Sequence, residues 1–124
     1  MSAWIGVDLD GTLAEYHGWK GVDHIGKPIA PMVEFVKEQL AKGRTVKIFT
    51  ARMHGHGVED FITGEPADVV TPIQKWCLEH IGMVLEVTNV KDFGMIELYD
   101  DRAVQIIANT GRRADGKALK EVES

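Results

Sequence analysis

The stretch Ala3-Trp4-Ile5-Gly6-Val7-Asp8-Leu9-Asp10-Gly11-Thr12 decides how the rest of the chain is read. Residues 3–7 form an apolar run with the length and continuity of a strand buried on both faces, as in a parallel sheet. The run ends abruptly in two carboxylates around one leucine, then a glycine able to take positive φ and turn the chain. Residues i and i+2 of an extended segment project to the same side, so Asp8 and Asp10 converge just beyond the strand, where parallel sheets place their ligands. Two acids held that close repel, which invites a divalent cation, a shared proton or a nearby lysine. A solvated turn with an Asx-type cap is the plainer reading of the same residues, and this stretch alone leaves both open.

Composition narrows the alternatives. With 124 residues the chain makes one domain, able to bury roughly two-thirds of its unfolded surface. Its formal net charge of −5 argues against general nucleic-acid affinity, which needs a basic face, though not against a local cationic pocket. No apolar stretch approaches the ~20 residues of a membrane span. Met1-Ser2-Ala3-Trp4 leads straight into the first strand, so no signal peptide is expected. A single cysteine, Cys77, excludes an internal disulfide and fits a reducing cytoplasm. It falls on an apolar helix face, which suits a buried structural thiol better than a nucleophile.

Beyond the first strand, residues 13–30 read as loop, with Gly18, Gly21 and Gly26 among Tyr16, His17, Trp19 and His24. Aromatics in a glycine-rich loop beside two acids suit a flap over a site, and equally a loop packed on the sheet edge. Pro31 suits the first turn of a helix that carries Met32, Val33, Val36 and Leu40 at helical spacing and stops at Gly43. Thr45–Thr50 reads as the second strand, followed by Ala51-Arg52 and an excursion over 53–70. His54 and His56 have the look of a zinc pair, but no third and fourth ligand stand at convincing spacing. Thr71, Pro72 and Gln74 predict a capped helix start, and Ile73, Trp76, Cys77 and Ile81 its buried face, with Gly82 as the stop. Met83–Thr88 and Met95–Tyr99 read as further strands, the second ending in Asp100-Asp101-Arg102. Ala103–Ala108 suits a short last strand, and the domain is expected to span 1–111, with a polar, frayed tail over 112–124. Strand–helix–strand–helix–strand, then strand, is an α/β unit with a mainly parallel sheet.

Chemistry sits at three strand ends: Asp8 with Asp10, Thr50, and Asp100 with Asp101, while Lys91 lies in the loop before the last strand. In a parallel sheet these ends share one edge. The set fits phosphoryl transfer. Clustered acids hold Mg²⁺, which prefers oxygen ligands; a hydroxyl and an ammonium hold phosphoryl oxygens; a free aspartate can attack phosphorus. Each residue singly is common at a strand end, and the joint arrangement carries the weight.

Four segments in order resemble the motifs of the haloacid dehalogenase superfamily of phosphohydrolases. Asp8–Ala14 resembles the first motif and Phe49-Thr50-Ala51-Arg52 the second. Lys91 stands where the third-motif lysine is expected, and Tyr99–Arg102 resembles the fourth. The resemblance covers roughly residues 3–108 and implies a three-layer Rossmann-like fold with a mainly parallel central sheet. It implies Asp8 as nucleophile and Mg²⁺ ligand, and Asp10 as general acid/base with its backbone carbonyl toward the metal. Thr50 and Lys91 would hold the phosphoryl group. Asp101 would complete the metal site with Asp100 assisting, and which of the two ligates directly stays open. Arg52 would reach substrate or pair with Asp100 or Asp101. The resemblance implies phosphate ester hydrolysis and not dehalogenation, since the dehalogenases of the superfamily lack an acid at the position of Asp10.

Neither residues 13–30 nor 53–70 is long enough for a separate cap domain, so the site is expected to be open, shielded by loops or a second subunit in a homo-oligomer. Open sites suit bulky substrates such as nucleic-acid ends or phosphoproteins, whereas the net charge does not support a nucleic-acid end and the expected substrate is a small phosphoester or nucleotide. The short form with Asp-Asp-Arg also resembles the phosphatase domain of polynucleotide kinase and the small deoxynucleotidases. Two rivals remain. A receiver domain has the same residue types, but is expected to carry its acceptor aspartate on a middle strand after an acidic pair on the first. A phosphatase-like binding or assembly protein with little turnover would keep the fold.

Overall fold

The computed structural model of the chain describes residues 3–53 and 68–119. Its centre is β1 (Trp4–Val7), the apolar run of the opening stretch, buried along its whole length. β2 (Thr45–Phe49) lies on one side of it and β4 (Met95–Tyr99) on the other, with β3 (Val87–Thr88) beyond β2. All pairings are parallel, in the order β3-β2-β1-β4. The expected Rossmann-like α/β layout with a parallel sheet is therefore present. A strand flanked on both sides has no edge to solvate, which is why residues 4–7 read as a continuous apolar run.

Helix α1 (Ala30–Ala41) opens with Pro31 in its first turn and buries Val33 and Val36. Gly43 at φ 79° ends it, a left-handed position that costs glycine little. Helix α2 (Val70–His80) buries Ile73, Trp76 and Cys77 as the spacing predicted. Its start differs from expectation. The Asp68 carboxylate, not the Thr71 side chain, accepts a first-turn amide, that of Thr71 at 3.0 Å. The helix therefore begins at Val70, with Pro72 still in the first turn, where its missing N–H goes unnoticed. Gln74 makes no capping box and instead donates to the Leu85 carbonyl at 3.1 Å. Burial pushes the Cys77 thiol up to about 12, as befits a structural cysteine.

Both helices meet the same face of the sheet. Val33 and Val36 of α1 and Ile73 and Cys77 of α2 share one core with Ile5, Val7, Val46 and Ile48. The Phe35 and Tyr99 rings, 4.7 Å apart, tie α1 to β4. The steps β1 to β2 to β3 run in one direction, so right-handed crossovers put both helices on one side. The return from β3 to β4 is a loop, so of the three layers expected the described residues show two. Trp4, Gly6 and Lys47 face the other way, where the Trp4 indole donates to Asp92 at 2.8 Å and Lys47 Nζ lies 4.6 Å over its ring.

Two further expectations change. Residues 83–86 are not strand, because β3 pairs only with the last two residues of β2, Ile48 and Phe49. The expected strand over 103–108 is reduced to β5 (Ile106–Ile107), which pairs antiparallel with β6 (Arg112–Arg113) in a separate hairpin. Asn109 at φ 64° and Gly111 at φ 69° turn it. The boundary between 111 and 112 thus runs through a hairpin, and the start of the expected tail is ordered, with Arg113 paired to Asp115 at 2.7 Å. No helix among the described residues is long and apolar enough to cross a membrane.

Candidate active site

Register brings the acids together. Val7 pairs with Tyr99, so the next residues, Asp8 and Asp100, leave the sheet side by side, and the Asp8 amide donates to the Tyr99 carbonyl at 2.9 Å. One carboxylate oxygen from each of Asp8, Asp100 and Asp101 lies within 4.8 Å of the others. Asp100 is fixed by the amides of Arg102 and Ala103, at 2.7 and 3.2 Å. Asp101 accepts from the Thr12 hydroxyl at 3.2 Å. Gly11, at φ 90°, explains the glycine of the opening stretch, since a Cβ there would sit 2.6 Å from Asp101 Oδ2.

Asp8 feels this crowding. Its carboxyl rises from an ordinary 3.8 to about 7, chiefly through burial, then through a hydrogen bond with Asp101 and the charges of Asp100 and Asp101. Three hard oxygen donors that repel one another form a set suited to Mg²⁺, whose charge would offset the repulsion.

Thr50 follows β2 at the same edge and is 2% exposed. Its amide donates to the Thr88 carbonyl at 3.0 Å, and its hydroxyl accepts the Arg52 amide at 3.1 Å. A short helical turn, Ala51–Met53, aims Arg52 back across the edge. The guanidinium takes both oxygens of Asp10, Nε to Oδ2 and Nη2 to Oδ1, each at 2.8 Å. It also donates to the carbonyls of His24 at 2.9 Å and Val22 at 3.4 Å. Arg52 therefore pairs with Asp10, not with Asp100 or Asp101, because the loop carbonyls and Asp10 together fill its planar fork. The Asp10 side chain correspondingly turns to Arg52 and lies outside the cluster of three carboxylates.

A cavity of about 680 Å³ opens over these groups, lined by Asp8, Asp10, Thr50, Arg52, Asp100 and Asp101 among others. Six of the seven residues expected at the site thus line one cavity. The seventh, Lys91, is exposed in the loop after β3 and is not among the cavity's lining residues, whereas Asn89 of that loop is. Sequence reasoning assigned no role to Arg102, which also lines the cavity, although its place directly after two acids was a signal.

The segment 13–30 forms a pinned excursion. Ala14 bridges Pro28, and Glu15 donates to the Lys27 carbonyl at 2.8 Å. A Cβ on Gly26 would lie 1.9 Å from the Glu15 carbonyl oxygen, so only glycine lets the two arms close. The Trp76 indole donates to the Gly26 carbonyl at 3.0 Å and fastens the arms to α2. Tyr16, Trp19 and Val22 of the tip line the cavity, while Val22 and Ile25 also pack against the core, so the excursion has features of both expected readings. The His54 and His56 pair and most of the second excursion lie outside the described residues.

No protein-family profile matches the chain, and no curated protein does. Among solved structures, a conserved protein from Bacteroides thetaiotaomicron is similar, with a TM-score of 0.57 over 84% of this chain and 79% of its own. At 18% identity that likeness speaks for the α/β fold and is silent on chemistry.

Proposed function

We propose that the chain is a Mg²⁺-dependent phosphomonoester hydrolase of the haloacid dehalogenase type, working through an aspartyl-phosphate. The observation that carries this reading is the convergence of Asp8, Asp100 and Asp101 at one end of a parallel sheet, beside a buried Thr50. Asp8 and the Asp100–Asp101 pair would hold the cation, which when bound neutralises phosphoryl oxygens and favours ionised Asp8.

In this reading an oxygen of Asp8 attacks phosphorus, the bond from phosphorus to the ester oxygen breaks, and Asp10 gives that oxygen its proton. Water then attacks the acyl-phosphate while Asp10 takes a proton from it, releasing inorganic phosphate and restoring Asp8. Thr50 holds a phosphoryl oxygen. Both Asp10 oxygens are engaged by Arg52, so neither reaches a leaving group until Arg52 turns away. An entering phosphate dianion is the competing acceptor that would draw Arg52 off. Lys91, two residues beyond the cavity-lining Asn89, would swing in on its flexible stem to the same phosphate.

The net charge of −5 favours small phosphoesters or nucleotides over nucleic-acid ends. The lone buried Cys77 fits a cytoplasmic setting. A second reading, a protein that binds phosphorylated partners without turnover, draws on the bidentate hold of Arg52 on Asp10.

One assay separates the two readings: hydrolysis of para-nitrophenyl phosphate and a panel of phosphoesters with Mg²⁺, by wild type and Asp8→Asn. Turnover by wild type alone, with one phosphoryl group trapped on the Asp8 peptide after acid quench, supports the hydrolase. An inert wild type across the panel favours the binding protein, and full activity in Asp8→Asn sinks the mechanism.

A further inference from the structure

The cavity over the acids also has an apolar and aromatic lining. Tyr16, Trp19, Val22, Phe49 and Val69 line it. A phosphate needs none of these, and the cavity's roughly 680 Å³ far exceeds the room a phosphoryl group takes.

Trp19 is the most informative of the set. It is 57% exposed, whereas the chain's other tryptophans, Trp4 and Trp76, are 2% and 7% exposed. Leaving an indole this open forgoes burial worth more than almost any other side chain offers. Its placement is nonetheless built. Gly18 and Gly21, both at φ 104°, bracket Trp19 and Lys20, and a Cβ at either glycine would meet nothing within 4 Å. Those glycines therefore serve the turn itself and not close packing.

The Arg52 guanidinium carbon lies 4.9 Å from the Trp19 ring centroid. Arg52 is in turn fixed by Asp10 and by the carbonyls of Val22 and His24. A cation held on the ring keeps it in place until an entering phosphate draws Arg52 away, so the ring is already positioned when a ligand arrives. Tyr16, also exposed, stands in the same excursion and lines the same cavity.

We infer that Trp19, with Tyr16 lining the same cavity, is the seat for a planar aromatic leaving group, so that the preferred substrates are phosphomonoesters carrying an aryl or heteroaromatic ring. The inference rests on reading the acids as the phosphoryl site. Stacking supplies affinity without a hydrogen-bond code, because any π-face fits an indole. Trp19 then acts as a specificity-determining residue that touches the departing half of the substrate and takes no part in bond making.

The test uses the full chain with Mg²⁺ and two pairs of probes: phenyl and propyl phosphate as substrates, and para-nitrobenzyl- and propylphosphonate as non-hydrolysable ligands. Relative to wild type, Trp19→Ala should lower the ratio of kcat/KM for phenyl over propyl phosphate about tenfold, while Trp19→Phe keeps most of it. The nitroaromatic phosphonate should quench wild-type tryptophan emission saturably and leave Trp19→Phe, whose remaining tryptophans are buried, unquenched. Propylphosphonate should quench neither. Saturable quenching without turnover of any ester would sink the hydrolase and leave the aromatic seat standing. Turnover whose aryl preference is untouched in Trp19→Ala, with no quenching by the nitroaromatic probe, overturns the seat and leaves the hydrolase intact.

Discussion

Replacing Asp8 by asparagine should make the Mg²⁺-free protein more stable at pH 8. Asp8 shares a space of 4.8 Å with Asp100 and Asp101, and its carboxyl is raised from 3.8 to about 7. A carboxyl raised this way holds its proton more tightly in the folded chain than in the unfolded one. Its favourable contribution is fully present below pH 3.8, declines as pH rises, and is gone above about pH 7. The full shift corresponds to about 4 kcal/mol against the ionised form. Asp8 is only half-buried, and solvent screening reduces the expected effect to about 1–2 kcal/mol. Asparagine keeps the shape and removes the charge.

In thermal melts with EDTA, Asp8→Asn should exceed wild type by about 4–8 °C at pH 8, and the two should converge near pH 4. Saturating Mg²⁺ should reverse the order at pH 8, since only the carboxylate offers a full charge to the cation. An asparagine variant that melts at or below wild type at pH 8 without metal would refute the account of the acids as a mutually repelling cluster.

Three other substitutions probe the rest of the edge. Arg52→Gln strips Asp10 of a partner whose side chain is 5% exposed, and urea unfolding should report a loss of about 2 kcal/mol; unchanged stability would show the pair to be idle. Gly11→Ala combines a φ of 90° with a methyl 2.6 Å from Asp101 Oδ2, so Mg²⁺ titration calorimetry should show binding weakened by at least about tenfold as Asp101 is displaced. Lys91→Ala removes an exposed side chain and should leave the melting temperature within about 1–2 °C, yet lower kcat about a hundredfold if the ammonium meets the phosphate during turnover. Retained kcat in that variant would move the charge-neutralising role to Arg102.

Much of this edge could be read from the chain because local rules and the fold agreed. Residues 4–7 are apolar because β1 is flanked on both sides, and the same placement sends Asp8 to the edge. Thr50 and Asp100 followed from where the flanking strands end. The partner of Arg52 was not legible, because it depends on the path of residues 22–24, whose carbonyls occupy half the guanidinium. The start of α2 was misjudged for a related reason: Asp68 lies outside the apolar pattern, and a carboxylate reaching a first-turn amide leaves no periodic trace. Residues 83–86 are apolar enough for a strand, but pairing with β2 is confined to Ile48 and Phe49, and the single bond from the Ile48 amide to the Glu86 carbonyl at 2.9 Å does not extend the ladder. The hairpin at 106–113 was hidden because its turn uses Asn109 and Gly111 within a polar stretch that reads as fraying.

The bridge between Ala14 and Pro28, with Gly26 pressed against the Glu15 carbonyl, brings the start and finish of the flap to one point on the rim. Chain inserted at its tip need not disturb that junction, and each doubling of a flexible loop's length adds only about 0.6 kcal/mol of closure entropy. The rim is thus a natural insertion point. Descendants or engineered versions of this chain could exchange the eight or so residues around Trp19 for a longer segment, and so acquire new substrates, while the sheet and its carboxylates fold as before.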